Sequence, residues 1–351
     1  MNTAAWTSLF LLILGAVSPT QEQAAPDPGK NSAREPVAAA ASPARAAEFL
    51  DAVALNWTRV RRCGTCHTNL PYLWARPSLK GFESPAMGEV RGFFERLADT
   101  WDRDQPPRKF KVAGAWEGQI VAAAVGLAVH DSRTTGKLHP LTRKALDKMW
   151  TLQNADGGWS WVQCDWPPME HDEYFGALYV AIGVGHAPEK YAATESIQPG
   201  LRKLRDYFKT HLAPDLHHRI MLLWASTKLD GLMSAPDREA TLREMLALQK
   251  EDGGWGLPTF GTWKRHDDTP NRKDGPSDGF ATGLAVTVAR AAGLPADQAQ
   301  IRRGVAWLKS NQRESGRWYT ESLSIDHHHF LTNVGTAYAV MALDACGELP
   351  R

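Results

Sequence analysis

One pattern occurs three times in this chain: Gln153-x-x-Asp156-Gly157-Gly158-Trp159, Gln249-x-x-Asp252-Gly253-Gly254-Trp255 and Gln312-x-x-x-Gly316-Arg317-Trp318. Each copy closes an apolar run of helical period and opens a loop rich in turn residues. Self-similarity of this kind marks stacked helical units, none of which can bury its apolar face alone. The glycine supplies the left-handed turn that ends an outer helix. The tryptophan folds back on its hairpin, and the glutamine bonds exposed backbone groups of a neighbouring repeat. Positions 153, 249 and 312 leave intervals of 96 and 63 residues, so the first interval holds an extra hairpin whose motif has decayed.

Apolar residues recur at helical spacing over roughly 114–130, 139–153, 172–186, 199–211, 215–229, 236–249, 278–292, 297–311 and 332–346. No period-two stretch competes with them. The expected fold is all-α: an αα-hairpin toroid, or partial α/α barrel, over residues 112–351.

Arg303-Gly304-x-x-Trp307-Leu308-x-x-x-Gln312-x-x-x-Gly316-x-Trp318 resembles the QW motif of squalene-hopene and oxidosqualene cyclases. The resemblance covers about residues 112–347 and extends more distantly to the β subunits of protein prenyltransferases. It implies a toroid with inner helices around a central cavity, and it implies fastening devices, not a reaction. The cyclases protonate an alkene with a D-x-D-D-T motif. Here His266-Asp267-Asp268-Thr269-Pro270 lies in a loop, and Asp278 takes the equivalent position at a helix start without a paired carboxylate. Asp278 is therefore a candidate acid and equally an ordinary N-terminal helix residue. The prenyltransferase zinc ligands would fall near Asp278 and His329, but Phe280 stands where their cysteine would be, so no zinc is expected there.

The four cysteines are Cys63, Cys66, Cys164 and Cys346, and two of them form Cys63-Gly64-Thr65-Cys66-His67. C-x-x-C-H is the haem-attachment pattern: two thiols form thioethers to the vinyl groups, and the adjacent imidazole ligates iron. A Cys63–Cys66 disulfide or half of a zinc site are the alternatives. The stretch around it, about residues 45–105, resembles small c-type cytochromes through Arg76-Pro77-Ser78-Leu79-Lys80-Gly81. That resemblance implies a Pro77 carbonyl orienting the His67 ring. Met87 is the nearest candidate for the sixth iron ligand, with His130, His217 and His218 as further options. Haem c is thus the expected cofactor, on a module spanning 48–111. Residues 1–18 have an apolar run of signal-peptide length, too short to span a bilayer, and residues 19–47 have the composition of a disordered linker. The expected location is periplasmic or otherwise extracytoplasmic, with no integral membrane span once the signal is removed.

A second polar constellation runs from Trp161 through Cys164-Asp165-Trp166 to Glu170-His171-Asp172. In a toroid this loop delivers carboxylates and aromatic rings to the mouth of an inner helix. Asp165, Glu170 and Asp172 are candidate catalytic groups, and Trp161, Trp166 and His329 candidate cavity residues. The plainer alternative is that the acids cap a helix and the tryptophans pack. Asp326-His327-His328-His329 can offer at most two ligands to one metal, and His217-His218 is similarly open. Cys164 and Cys346 are candidates for an exported disulfide. A net charge of +1 gives no reason to expect nucleic acid. The expected partner is a redox protein or an apolar, isoprenoid-like molecule. A non-redox binding toroid and a cyclase or lyase using the loop carboxylates are the alternatives.

Overall fold

The computed structural model describes residues 24–64, 66–103, 112–325 and 330–350, and these contain twelve α-helices and three isolated β-bridges. The helices are α1 (Pro43–Asn56), α2 (Asn69–Ala75), α3 (Pro85–Thr100), α4 (Ala115–Arg133), α5 (Pro140–Thr151) and α6 (Tyr174–His186). They continue as α7 (Gln198–Thr210), α8 (Leu216–Ser226), α9 (Ala235–Ala247), α10 (Gly279–Ala291), α11 (Ala299–Asn311) and α12 (Phe330–Ala345).

Composition sorts these helices into two layers. α6 buries eleven of its thirteen residues, whereas α7 buries only Leu201, Leu204, Tyr207 and Phe208. A helix apolar all round has to be surrounded by others, and a helix with one apolar stripe lies outside. The even-numbered helices form the inner ring, and the odd-numbered ones wrap it. Neighbours in the inner ring follow the order α2, α4, α6, α8, α10, α12 and back to α2. The chain is an αα toroid of six outer–inner hairpins.

The ring closes through residues expected to stand apart from it. The segment 48–111 was read as a separate haem module, yet its described part forms α2 and α3 and most of α1. All seven residues of α2 are buried, between α12 and α4. Residues 24–42, expected as part of a disordered linker, form an extended arm over the last repeat. Ala38 N donates to Gln312 O at 2.8 Å, and Glu314 N to Pro36 O at 3.0 Å. Arg317, only 3% exposed, donates to Pro28 O and Lys30 O, pairs with Glu35 and covers the Phe49 ring. A buried guanidinium needs several acceptors, and the arm's carbonyls supply them. The proposed signal segment lies outside the described residues, among which no helix is long and apolar enough to cross a membrane.

The repeated motif fastens hairpin to hairpin. Trp159, Trp255 and Trp318 each donate Nε1 to a carbonyl ten residues back, on Met149, Met245 and Leu308. The glutamines reach forward: Gln153 to Gly200 O, Gln249 to Gln300 O and Gln312 to Ser42 O. The last of these joins the final repeat to the start of α1. At Gly316, with φ +93°, a Cβ would stand 2.1 Å from Arg45 O, so the seam requires glycine.

The axis of the toroid is filled. Trp74, Tyr179, Phe175, His217, Phe280, Tyr338 and Trp224 form a closed circuit of ring contacts, with centroids 5.1–6.2 Å apart. An isoprenoid-sized cavity was expected here. Aromatic side chains from five of the six inner helices, α2, α6, α8, α10 and α12, occupy it instead.

Candidate functional site

The inner helices run parallel: Thr68 pairs with Asn333 and Ser78 with Asp344, while Phe280 meets Gly335 and Gly283 meets Ala339. All their N-termini therefore open at one end, where the outer-to-inner loops gather. Two polar centres lie at this mouth.

The first is built on the loop between α1 and α2. The Cys66 thiol donates to Glu170 Oε1 at 2.6 Å, and the Cys164 thiol to Glu170 Oε2 at 2.8 Å. Cys63 Sγ accepts from Gln119 Nε2 at 3.0 Å, and Gln119 Oε1 accepts from Gly64 N at 2.7 Å. His67 lies flat on Phe330 with centroids 4.7 Å apart and edge-on to Trp57. Its Nδ1 meets Thr68 Oγ1 at 2.8 Å, and its Nε2 faces Glu170 Oε1 at 3.7 Å. Burial pushes the Cys66 thiol well up, and the Glu170 carboxylate adds to this. The Cys164 thiol is raised for the same two reasons. Both are held as neutral thiols, poor nucleophiles in this state. Burial lowers His67, against the pull of Glu170.

The second centre begins at the N-cap of α8. Asp215 Oδ1 accepts from His218 N at 3.0 Å and meets His218 Nδ1 at 2.8 Å. Asp172 Oδ2 meets His218 Nε2 at 3.0 Å. Burial works to lower His218, but the hydrogen bonds to Asp172 and Asp215 outweigh it and raise it to about 9. His217 beside it is fully buried, and desolvation pushes it down to about 3. Asp172 and Asp215 line a cavity of about 490 Å³ together with Asp165, His171, Trp263 and Arg265. This opening is polar, unlike the apolar cavity that was expected.

The structure divides the candidate acids. Glu170 belongs to the thiols, Asp172 to His218, and Asp165 is an exposed rim residue at φ +56°. Asp278 is the N-cap of α10, accepting from Ala281 N at 2.9 Å and Leu257 N at 2.6 Å. Burial lifts it to about 6 despite these donors. Burial, not a neighbouring carboxylate, is the main cause of that rise. Its bonds nevertheless serve the fold.

Other expectations are corrected. Trp161 is 1% exposed and donates to Met169 O, so it packs in the core, whereas Trp166 is half-buried beside Phe330. Pro77 lies in a 3-10 turn beyond the far end of α2, and it is Thr68 that holds the His67 ring. Arg76 ahead of it pairs with Asp51 inside the first hairpin, so that stretch serves the ring. Met87 is half-buried in the first turn of α3, after α2 has led the chain away from His67. His130 is held by Arg91 near the end of α4. No disulfide joins the four cysteines; Cys63 and Cys66 have separate partners, and Cys346 lies at the other end of the toroid from Cys164. His329 lies outside the described residues. Sequence reasoning missed Gln119 and the Asp172–His218 contact, for which the only local signal was the Asp215-x-x-His218 cap.

Residues 220–326 match the family model of the squalene-hopene cyclase C-terminal domain. A squalene–hopene cyclase of Zymomonas mobilis is 32% identical over 119 residues, which is 32% of this chain and only 16% of that protein. Among solved structures the chain is similar to ent-copalyl diphosphate synthase from Streptomyces platensis, with TM-score 0.49, 14% identity, and 80% of this chain and 50% of that one covered. A glycosidase variant has TM-score 0.49 and 11% identity, over 88% and 98% of the two chains. A type II terpene cyclase from Scytonema in complex with merosterolic acid A has TM-score 0.46 and 12% identity, over 87% and 99%.

Proposed function

We propose that this cyclase-like toroid is an exported redox protein that carries a covalent c-type haem at Cys63 and Cys66, with His67 as the iron ligand. The observation that carries the reading is the state of His67. Its Nδ1 is taken up by Thr68 Oγ1, so Nε2 is the nitrogen offered, with two thiols within four residues of it. The donor chemistry fits the group. Trp57, at 4.7 Å from the His67 ring, adds a buried Nε1 with no partner among the described residues, a donor suited to a propionate.

When bound, haem supplies one-electron chemistry. The chain's own residues do the rest. Cys63 and Cys66 would hold the group through thioethers, each thiol S–H adding across one vinyl group, and His67 Nε2 would ligate its iron. Thr68 holds the imidazole tautomer, as outer hydrogen bonds do for metal-ligating histidines. Phe330 and Trp57 keep water from the ring. Glu170, which now accepts from the Cys66 thiol, would lose that donor in the thioether-linked protein. The toroid then presents a polar mouth, which suits a partner protein or a polar ligand, while the filled axis leaves no room for an isoprenoid.

The test is a pyridine haemochrome spectrum of protein exported alongside cytochrome-maturation machinery. The expected result is a c-type spectrum that survives acid–acetone extraction, with the mass raised by one haem and lost in Cys63→Ser/Cys66→Ser. A protein of apo mass with no Soret band would sink the reading.

A further inference from the structure

We infer that Asp215, His217 and His218, with Asp172 beside them, form a binding site for a divalent transition-metal ion of the zinc class, open on one side to the mouth pocket. This site is separate from the thiol centre and does not depend on haem.

The argument starts with groups that have nothing to do. His217 is fully buried, and neither of its ring nitrogens has a partner among the described residues. Leaving a buried polar atom unsatisfied costs stability, because its hydration is lost and nothing replaces it. Asp172 Oδ1 is likewise buried and unpartnered. The ring of His217 cannot turn away to water, because it stacks on Phe175 and is flanked by Trp263 and Phe280. Its backbone is pinned as well, since His217 N donates to Phe260 O at 2.8 Å. A ligand that accepts electron pairs from nitrogen is what this environment lacks.

The geometry gathers the donors. One ligating atom from each of Asp215, His217 and His218 lies within 4.8 Å of the other two. Zinc holds nitrogen and oxygen donors at about 2.0–2.2 Å, which places tetrahedral donors about 3.4 Å apart, so the three need close by at most about 1.4 Å. Two imidazoles and carboxylates suit zinc and its neighbours, whereas magnesium and calcium take oxygen alone. His218 is also already oriented by a carboxylate on each nitrogen, the arrangement that tunes metal-bound imidazoles. A metal would take over one of these contacts and leave the other as support. Asp172 and Asp215 both line the cavity of about 490 Å³, so a position left over by the protein donors faces solvent, as in catalytic zinc centres.

The test uses the full-length protein stripped with a chelator and titrated with zinc and then cobalt. Elemental analysis should find one zinc per chain, and zinc should raise the unfolding temperature. Cobalt should give visible ligand-field bands without a thiolate charge-transfer band. His217→Gln should weaken zinc by more than the 10–100-fold that changes in outer-shell groups produce. Asp215→Asn, which keeps a good helix cap, should do likewise. Cys63→Ser/Cys66→Ser/Cys164→Ser should bind as the parent does. The inference is overturned if the stripped parent protein binds no zinc at micromolar concentrations and its unfolding temperature does not move. It is also overturned if cobalt gives a thiolate band that only the cysteine variant loses.

Discussion

At the scale of single residues, Asp278 separates what a carboxylate does from what its position suggests. Its place at the start of an inner helix made it a candidate acid, but it caps α10 and holds the Leu257 amide. Its folded value is about 6, against 3.8 for an ordinary aspartate. A carboxyl raised in the folded state binds its proton more tightly there. Its stabilising contribution is complete below about pH 4 and is lost as pH rises through about 6, an effect of about 3 kcal/mol. Denaturant midpoints measured from pH 4 to pH 7 should fall over that interval, and Asp278→Asn should flatten this part of the profile. At pH 7, Asp278→Ala removes a cap worth about 1 kcal/mol and strands the Leu257 amide for about 1–3 more, so a loss of about 2 kcal/mol or more is expected. The same scale marks the limit of sequence reading at the site. Cys63, Cys66 and His67 are legible because they are adjacent. Gln119, Glu170 and Cys164 join them across 56–104 residues of chain, and no local spacing records that meeting.

At the scale of elements, the nine helices from α4 to α12 were legible in the apolar periodicity, and their fastening in the repeated glutamine and tryptophan. Both signals are local and recur. α2 was not legible: Asn69-Leu70-Pro71-Tyr72-Leu73-Trp74-Ala75 is too short to display a helical period and carries a proline in its first turn. Only the neighbouring faces of α4 and α12 make it an inner helix. The motif glycines allow a test that separates close packing from backbone conformation. Gly316 and Gly136 both have positive φ, +93° and +68°, but a Cβ at Gly316 meets Arg45 O at 2.1 Å and one at Gly136 meets nothing within 4 Å. Gly136→Ala should cost only the left-handed penalty of about 1–2 kcal/mol. Gly316→Ala has to push α1 away as well, and its loss in urea unfolding should clearly exceed that of Gly136→Ala. Equal losses would mean that the contact between the last repeat and α1 contributes nothing.

At the scale of the molecule, the question is whether residues 24–103 decorate the toroid or complete it. A separate module can be removed with little harm, whereas a missing sector of a ring leaves two raw faces. Leu70, Leu73, Trp74 and Phe94 are all fully buried, on α2 and α3. Each such side chain contributes about 1.5–3 kcal/mol when buried, so the four together hold about 6–12 kcal/mol. That is comparable with the 5–15 kcal/mol that stabilises a typical folded protein. Deletion also strips Gln312 of Ser42 and Arg317 of the arm carbonyls, which leaves a buried charge without most of its acceptors. A chain beginning at residue 112 should therefore fail to give a cooperatively unfolding monomer and should elute from a sizing column as aggregate. The parent chain should elute as a single species and unfold in one transition that includes the thiol centre. If the shortened chain proves monomeric and melts cooperatively, the first hairpins are an appendage, and the thiol centre would then be free to act as a module of its own.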